Sequence, residues 1–165
     1  MGIYSVDKLI TETRRIAREY REATGKTLPV TPEIAIHDAI SILGLIPNND
    51  NSKAYDAYYE CEDERLKVQI KGRAIFNEKR GGHRIGQIKI EQEWDAIILV
   101  ILNADFMPEE IYMANRKDIL AELEDKQQNN KKGAMTVAKF KLISQLLWSE
   151  QNGLEQDIVW TNTAY

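Results

Sequence analysis

Arg65–Ile75 reads RLKVQIKGRAI and Asp95–Asn103 reads DAIILVILN. In the first stretch Leu66, Val68 and Ile70 leave one side of an extended chain, while Lys67, Gln69, Lys71 and Arg73 leave the other. The second is a near-continuous apolar run rich in isoleucine, the pattern of a central strand covered on both faces. Ala54–Glu60 precedes them as a further strand, joined to Arg65–Ile75 through the acidic turn Glu62-Asp63-Glu64. Glu110–Ala114 follows as the next strand, after Met107-Pro108. Between the two opening stretches, Asn77–Gly82 is a turn and Arg84–Ile90 a short extended piece.

Outward from this sheet the spacing changes to helical. Val6, Leu9, Ile10, Thr13, Ile16, Ala17 and Tyr20 recur on one side of a helix over 5–24, with Ser5 as cap, Asp7 in the first turn and Gly25 as stop. Thr31-Pro32-Glu33 opens a helix over 31–43, with Thr31 as N-cap and Pro32 as first helical residue. Its apolar residues spread around most of the circumference, so it is expected to be buried. Pro47–Asn51 is a loop. C-terminal helices are expected within 117–150, one from about Lys117 to Glu124 and one from Met135 to Glu150, separated by the polar loop Gln127–Gly133. The order predicts a single α/β domain over 1–165, a mixed sheet at about 54–115 flanked by helices.

Composition narrows the partners. At 43% hydrophobic the 165 residues can build a core without staples. One cysteine, Cys61, excludes an internal disulfide framework and a multi-cysteine zinc site. The longest apolar run, Ala96–Leu102, is far too short to span a bilayer, and Met1–Tyr20 has no apolar leader core. No membrane association, no small-molecule cofactor and a cytoplasmic location are the resulting expectations. The net charge of −4 is not that of a basic nucleic-acid binder. Its distribution is uneven, however. Lys71, Arg73, Lys79, Arg80, Arg84 and Lys89 stand against Glu78 alone within 71–89. Such an arm can follow a phosphate backbone, or it can be an ordinary solvated hairpin.

Gln69 and Lys71 leave the same face of one strand, and Asp56 lies on the strand before. An amine beside an amide, interrupting a Val/Ile strand, points to a cleft. Phosphodiester hydrolysis uses such a set. Oxygen from the Asp56 carboxylate, the Gln69 amide and the Ile70 carbonyl can hold a hard divalent ion. Lys71 can then act on the attacking water or on charge at the phosphate.

Asp56 followed on the next strand by Gln69-Ile70-Lys71-Gly72-Arg73 resembles the PD-(D/E)XK motif of restriction-endonuclease-like nucleases, in its Gln-x-Lys variant. The resemblance runs over roughly Glu33 to Arg116. Glu33 is similar to the glutamate on the helix before the motif, Ile97–Phe106 to the strand and Asp-Phe turn after it, and Glu110–Arg116 to the next strand. It implies a restriction-endonuclease-like core, a Mg²⁺-dependent DNA endonuclease of restriction, repair or phage-defence type, and Mn²⁺ as an alternative ion. It implies Asp56, Gln69, Lys71 and Glu33 as catalytic residues, with Asp56, Gln69 and Ile70 on the metal. DNA contacts fall to Arg73, Lys79, Arg80, Arg84 and Lys89. Tyr55 stands where the motif has proline, and Gln69 removes one negative charge from the metal site.

Other readings run alongside. Gln69 and the acidic balance also suit a catalytically inactive module of the same fold that binds DNA or protein. A junction-resolving nuclease would need a homodimer, for which Leu146-Leu147-Trp148 is either the interface or core packing of the last helix. Asp56 can serve its own turn, and Glu33 suits a helix N-terminus with no further role. His37 reads as a satisfied, partly buried histidine, and with His83 as the only other histidine a His-rich zinc site is not expected. Trp94, Trp148 and Trp160 read as core or interface, and Gly81-Gly82 as a turn.

Overall fold

Among the described residues, seven strands make one sheet in the order in which the chain lays them down, and four helices cover its two faces. The computed structural model describes residues 5–124 and 133–155; Trp160 and most of the loop expected at 127–133 lie outside them. The elements are α1 (Val6–Thr24), α2 (Thr31–Leu43), β1 (Ile46–Pro47), β2 (Ala57–Cys61), β3 (Glu64–Ala74), β4 (Ala96–Leu102), β5 (Pro108–Asn115), α3 (Arg116–Glu124), α4 (Val137–Ile143), β6 (Gln145–Ser149) and β7 (Gly153–Leu154). All neighbouring pairs are antiparallel except β3 and β4. This is a single α/β domain with a mixed sheet. Among the described residues no helix is long and apolar enough to cross a membrane.

The alternation in Arg65–Ile75 sets the layers. Val68, Ile70 and Ala74 join Ile98, Val100 and Leu102 of β4 against α1 and α2. On the other face Ile97, Leu99 and Ile101 pack with Ile85, Ile88, Trp94, Ile119 and Phe140. Every β4 residue is buried, as expected for a strand covered on both sides. Gly72 is where α2 comes closest. A Cβ there would lie 2.5 Å from the Ala35 Cβ and 3.1 Å from the Thr31 carbonyl oxygen, so glycine lets the N-terminal turn of α2 sit down on β3.

Parallel strands need a crossover. Residues 75–95 provide it with no helix or strand of their own. Arg84–Ile90, expected as an extended piece, makes only the isolated bridge Arg84↔Thr136. Ile85 and Ile88 are both buried although three apart, a spacing that strand alternation cannot satisfy. Their amides donate to the Met135 and Gly133 carbonyls at 3.1 and 2.9 Å. Arg116 closes the crossover, donating to the Gln92 and Trp94 carbonyls at 2.9 and 3.1 Å and stacking over the Trp94 ring.

Three other expectations are corrected. Thr31 is the first helical residue of α2, and Val30 occupies the cap with no side-chain hydrogen bond. The Val30 amide already bonds the Leu28 carbonyl at 2.9 Å, so the chain curls into the helix one residue early. Met135–Glu150 is not one helix. Thr136 caps α4 and Ser144 turns extended, after which β6 pairs with β5. The outer edge of β5 needs hydrogen-bond partners, and that demand outweighs the helical spacing of Phe140, Ile143 and Leu147. The sheet therefore reaches 46–47 and 153–154, beyond about 54–115. Leu147 is buried in the core, Trp148 packs against it and Leu146 is half-buried, so the cluster belongs to core packing of β6 rather than of a last helix.

Candidate functional site

β2 ends its pairing with β3 at Ala57↔Val68, while β3 runs on to Ala74. An open length of strand edge follows, and Asp56 fills its start. Its amide donates to the Val68 carbonyl at 2.9 Å, and its carboxylate accepts from the Ile70 amide at 2.7 Å. Strand alternation turns the Ile70 carbonyl to the same edge, beyond Ala57, the first residue of β2. The loop before Asp56 is fixed in turn, because the Asn48 amide donates to the Asp56 carbonyl at 3.0 Å.

Gln69 and Lys71 leave the opposite face of β3 from Ile70. The Gln69 amide nitrogen donates to the Ala54 carbonyl at 2.7 Å, which brings it back to the loop carrying Asp56. Gln69 is 7% exposed, and its Oε1 is buried with no hydrogen-bond partner. A buried amide oxygen left unpaired costs free energy, on the order of 1–3 kcal/mol. The Lys71 amine donates to the Gln87 carbonyl at 3.1 Å, so the crossover is folded over it.

Electrostatics tie four of the expected residues together. Burial pushes the Asp56 carboxyl up; the Ile70 amide and the Lys71 charge oppose that, and Glu33 adds to it. Burial pushes the Lys71 amine down, Asp56 opposes, and Lys89 adds. Glu33, Asp56, Lys71 and Lys89 thus act on one another in a chain. Glu33 itself is exposed, in the first turn of α2. No family model matches this chain. Nor does any curated protein.

The structure brings Asp56, Gln69, Ile70 and Lys71 to one end of β2 and β3, with Glu33 and Lys89 in the same field. Arg73, Lys79, Arg80 and Arg84 are spread along the end of β3 and the crossover. They and Lys89 are exposed, and none is in an ion pair with a described residue. Lys67, by contrast, is neutralised by Glu93, and Arg65 by Glu60. Sequence reading missed the Gln87 and Ala54 carbonyls, which carry no side-chain signal. It also missed the buried pair Arg14–Asp38, whose only trace is an acid set among Ile34, Ala35, Ala39 and Ile42. His37 is half-buried with Asp7 at 3.3 Å, and Trp94 lies in the core with its ring nitrogen on the Lys89 carbonyl.

The side-chain donors here are oxygens, the atom type a hard cation takes. One Asp56 oxygen is taken by the Ile70 amide, the other is not, and the orphaned Gln69 Oε1 needs a partner. Only one of these donors is a carboxylate, and no group of three His, Cys, Asp or Glu suited to a metal occurs among the described residues.

Asp56 should cost stability in the absence of metal. A carboxyl whose folded pKa is raised favours the protonated form, so its ionisation opposes folding once pH rises through the folded value. Asp56→Asn is therefore expected to melt higher than wild type at neutral pH in EDTA. The gain should vanish below the ordinary carboxylate range, near pH 3.9. Thermal melts across pH check this; equal melting temperatures at neutral pH would refute it.

Proposed function

We propose that this chain is a divalent-metal-dependent DNA endonuclease with a restriction-endonuclease-like core, hydrolysing phosphodiester bonds with Mg²⁺, or Mn²⁺ in its place. The observation that carries the reading is the unpartnered, buried Gln69 Oε1 beside the strand end where Asp56 holds the Ile70 amide and Lys71 couples to Asp56. Asp56, Gln69 and the Ile70 carbonyl would hold the ion, which when bound polarises the phosphate and acidifies a bound water. Asp56 brings the charge and keeps its orientation through the Ile70 amide. Gln69 is oriented by Ala54, so its oxygen rather than its nitrogen is left to the site. Lys71 presents its amine to the water or to phosphate oxygens, and Gln87 fixes where that amine sits. Glu33 adds to the negative charge near Asp56, as the smallest of the influences on its carboxyl. Arg73, Lys79, Arg80, Arg84 and Lys89, with no ion-pair partner among the described residues, are suited to a phosphate backbone.

Gln69→Glu tests the ion-binding role. An anionic oxygen replaces a neutral one, so calorimetry should show tighter Mg²⁺ or Mn²⁺ binding, by about tenfold if the gain is ~1.4 kcal/mol. A second reading, an inactive nuclease-fold module that binds DNA, is favoured by the single carboxylate among the donors. If neither wild type nor Gln69→Glu binds metal while DNA still binds, that second reading is preferred.

The basic arm has its own test. Lys79→Ala, Arg80→Ala and Arg84→Ala combined should weaken binding to every duplex sequence. The salt dependence should flatten by about 0.9 in log–log slope for each phosphate that the arm no longer neutralises. An unchanged slope in the triple variant would show a solvated arm with no part in binding.

A further inference from the structure

The carbonyls of Ala54, Tyr55 and Asp56, just ahead of β2, each accept a hydrogen bond, and the donors come from two sides. Gln69 donates from β3 to the Ala54 carbonyl at 2.7 Å. From the other side the Asn48 side-chain amide donates to the Tyr55 carbonyl at 2.9 Å, and the Asn48 main-chain amide to the Asp56 carbonyl at 3.0 Å. The main-chain bond carries the β1–β2 ladder one residue past Pro47↔Ala57, and the side-chain bond takes over where the ladder stops.

Neighbours fix which way the Asn48 amide points. Its nitrogen faces two carbonyls, those of Tyr55 at 2.9 Å and Asp50 at 3.2 Å, and its oxygen accepts from the Asp50 amide at 3.1 Å. One side chain therefore ties the turn after β1 to the segment entering β2. Within that segment Asp56 is a crossing point. Its amide reaches the Val68 carbonyl on β3 at 2.9 Å, while its carbonyl reaches back to Asn48. A residue inside a regular ladder sends both groups to the same neighbour, so Asp56 is twisted across the gap and an anchor on each side holds it there. The twist delivers its carboxylate to the Ile70 amide at 2.7 Å.

We propose that Asn48 is a positioning residue for Asp56 and Gln69. It clamps Ala54–Asp56 against β3, and so keeps the Asp56 carboxylate on the Ile70 amide and the Gln69 nitrogen on Ala54, with the Gln69 oxygen left over. That this placement serves a divalent ion rests on the nuclease reading; the placement itself does not. An ion held by one carboxylate and neutral oxygens depends closely on how those oxygens are aimed.

NMR in EDTA and calorimetry with Mn²⁺ test it together. In wild type the Ile70 amide proton should shift as the Asp56 carboxyl titrates, because a hydrogen bond to a carboxylate is stronger than one to the neutral acid. Asn48→Ala should lose roughly half or more of that shift and exchange the Ile70 amide about tenfold faster. The amides of Ile98 and Val100 in β4, and the melting temperature, should stay as in wild type, since Asn48 lies outside both apolar clusters. Asn48→Asp, ionised at neutral pH, keeps the acceptor for Asp50 and loses the side-chain donors; it should speed Ile70 exchange equally, and it serves if Asn48→Ala does not fold. Mn²⁺ affinity should fall by about tenfold in either variant. An Ile70 amide that follows the titration in full in Asn48→Ala, or exchanges at the wild-type rate in both variants, would overturn the positioning role whether or not Mn²⁺ binds. Faster exchange in both variants of a chain that binds no Mn²⁺ would support the clamp and defeat the ion reading instead. Faster exchange with Mn²⁺ affinity unchanged would overturn the link between clamp and ion.

Discussion

Lys71→Ala should lower DNA cleavage by at least a hundredfold while leaving metal and DNA affinity within a few-fold of wild type. The proposed task of Lys71 lies with the attacking water and with charge that develops on phosphate oxygens in the transition state, and ground-state binding has little use for it. A positioned group of this type is worth about 10²–10⁴ in rate. The amine is held in place by the Gln87 carbonyl and works beside Asp56, which opposes the effect of burial on it. Asp56→Ala should behave differently and lose metal binding along with cleavage, because it supplies the only carboxylate among the proposed donors. Single-turnover cleavage, paired with calorimetry and melting of each variant, separates the two. Activity of Lys71→Ala within about tenfold of wild type, roughly 1.4 kcal/mol of barrier, would remove Lys71 from the mechanism.

Asp38→Ala should destabilise the fold by about 3–5 kcal/mol, the usual cost of stranding one partner of a buried ion pair. Asp38 is 4% exposed, and the Arg14 guanidinium meets both its carboxylate oxygens while also donating to the Phe106 carbonyl. One arginine thus joins α1, α2 and the turn between β4 and β5. Phe106 is fully buried in a left-handed conformation, φ 60°, so that turn is held in an uncommon backbone shape. For a domain of this size the melting temperature should fall by roughly 10 °C or more. Replacing both partners, with Arg14→Met and Asp38→Leu, should recover most of the loss, since no charge is then left buried alone. A loss below about 1 kcal/mol for Asp38→Ala would show that the pair is relaxed by water or by other groups.

The sheet centre and α1 were legible because each carries one uninterrupted period. Val68, Ile70 and the residues between them alternate, and Ala96–Leu102 is apolar throughout, which suits only a covered strand. Gln145–Ser149 was not legible as a strand. Its apolar residues continue the spacing of Phe140 and Ile143, and only the unpaired edge of β5, a feature of the folded sheet, draws them into extended form. Ile85 and Ile88 misled in the opposite sense, since a crossover pinned by two isoleucines has no repeating period. At the site, side-chain identities singled out Asp56, Gln69 and Lys71. The groups that aim them are the main-chain atoms of Ala54, Ile70 and Gln87, which depend on register rather than residue type. Arg14 and Asp38 lie 24 positions apart, and nothing local links them.

Supercoiled plasmid incubated with the purified chain is the most direct test of the proposed metal-dependent hydrolysis. Wild type should convert it to nicked or linear form in Mg²⁺ or Mn²⁺, EDTA should stop the conversion, and Asp56→Ala should leave the plasmid intact under all three conditions. Intact plasmid with wild type in either metal, or cleavage that persists in folded Asp56→Ala, would contradict the assignment of the site.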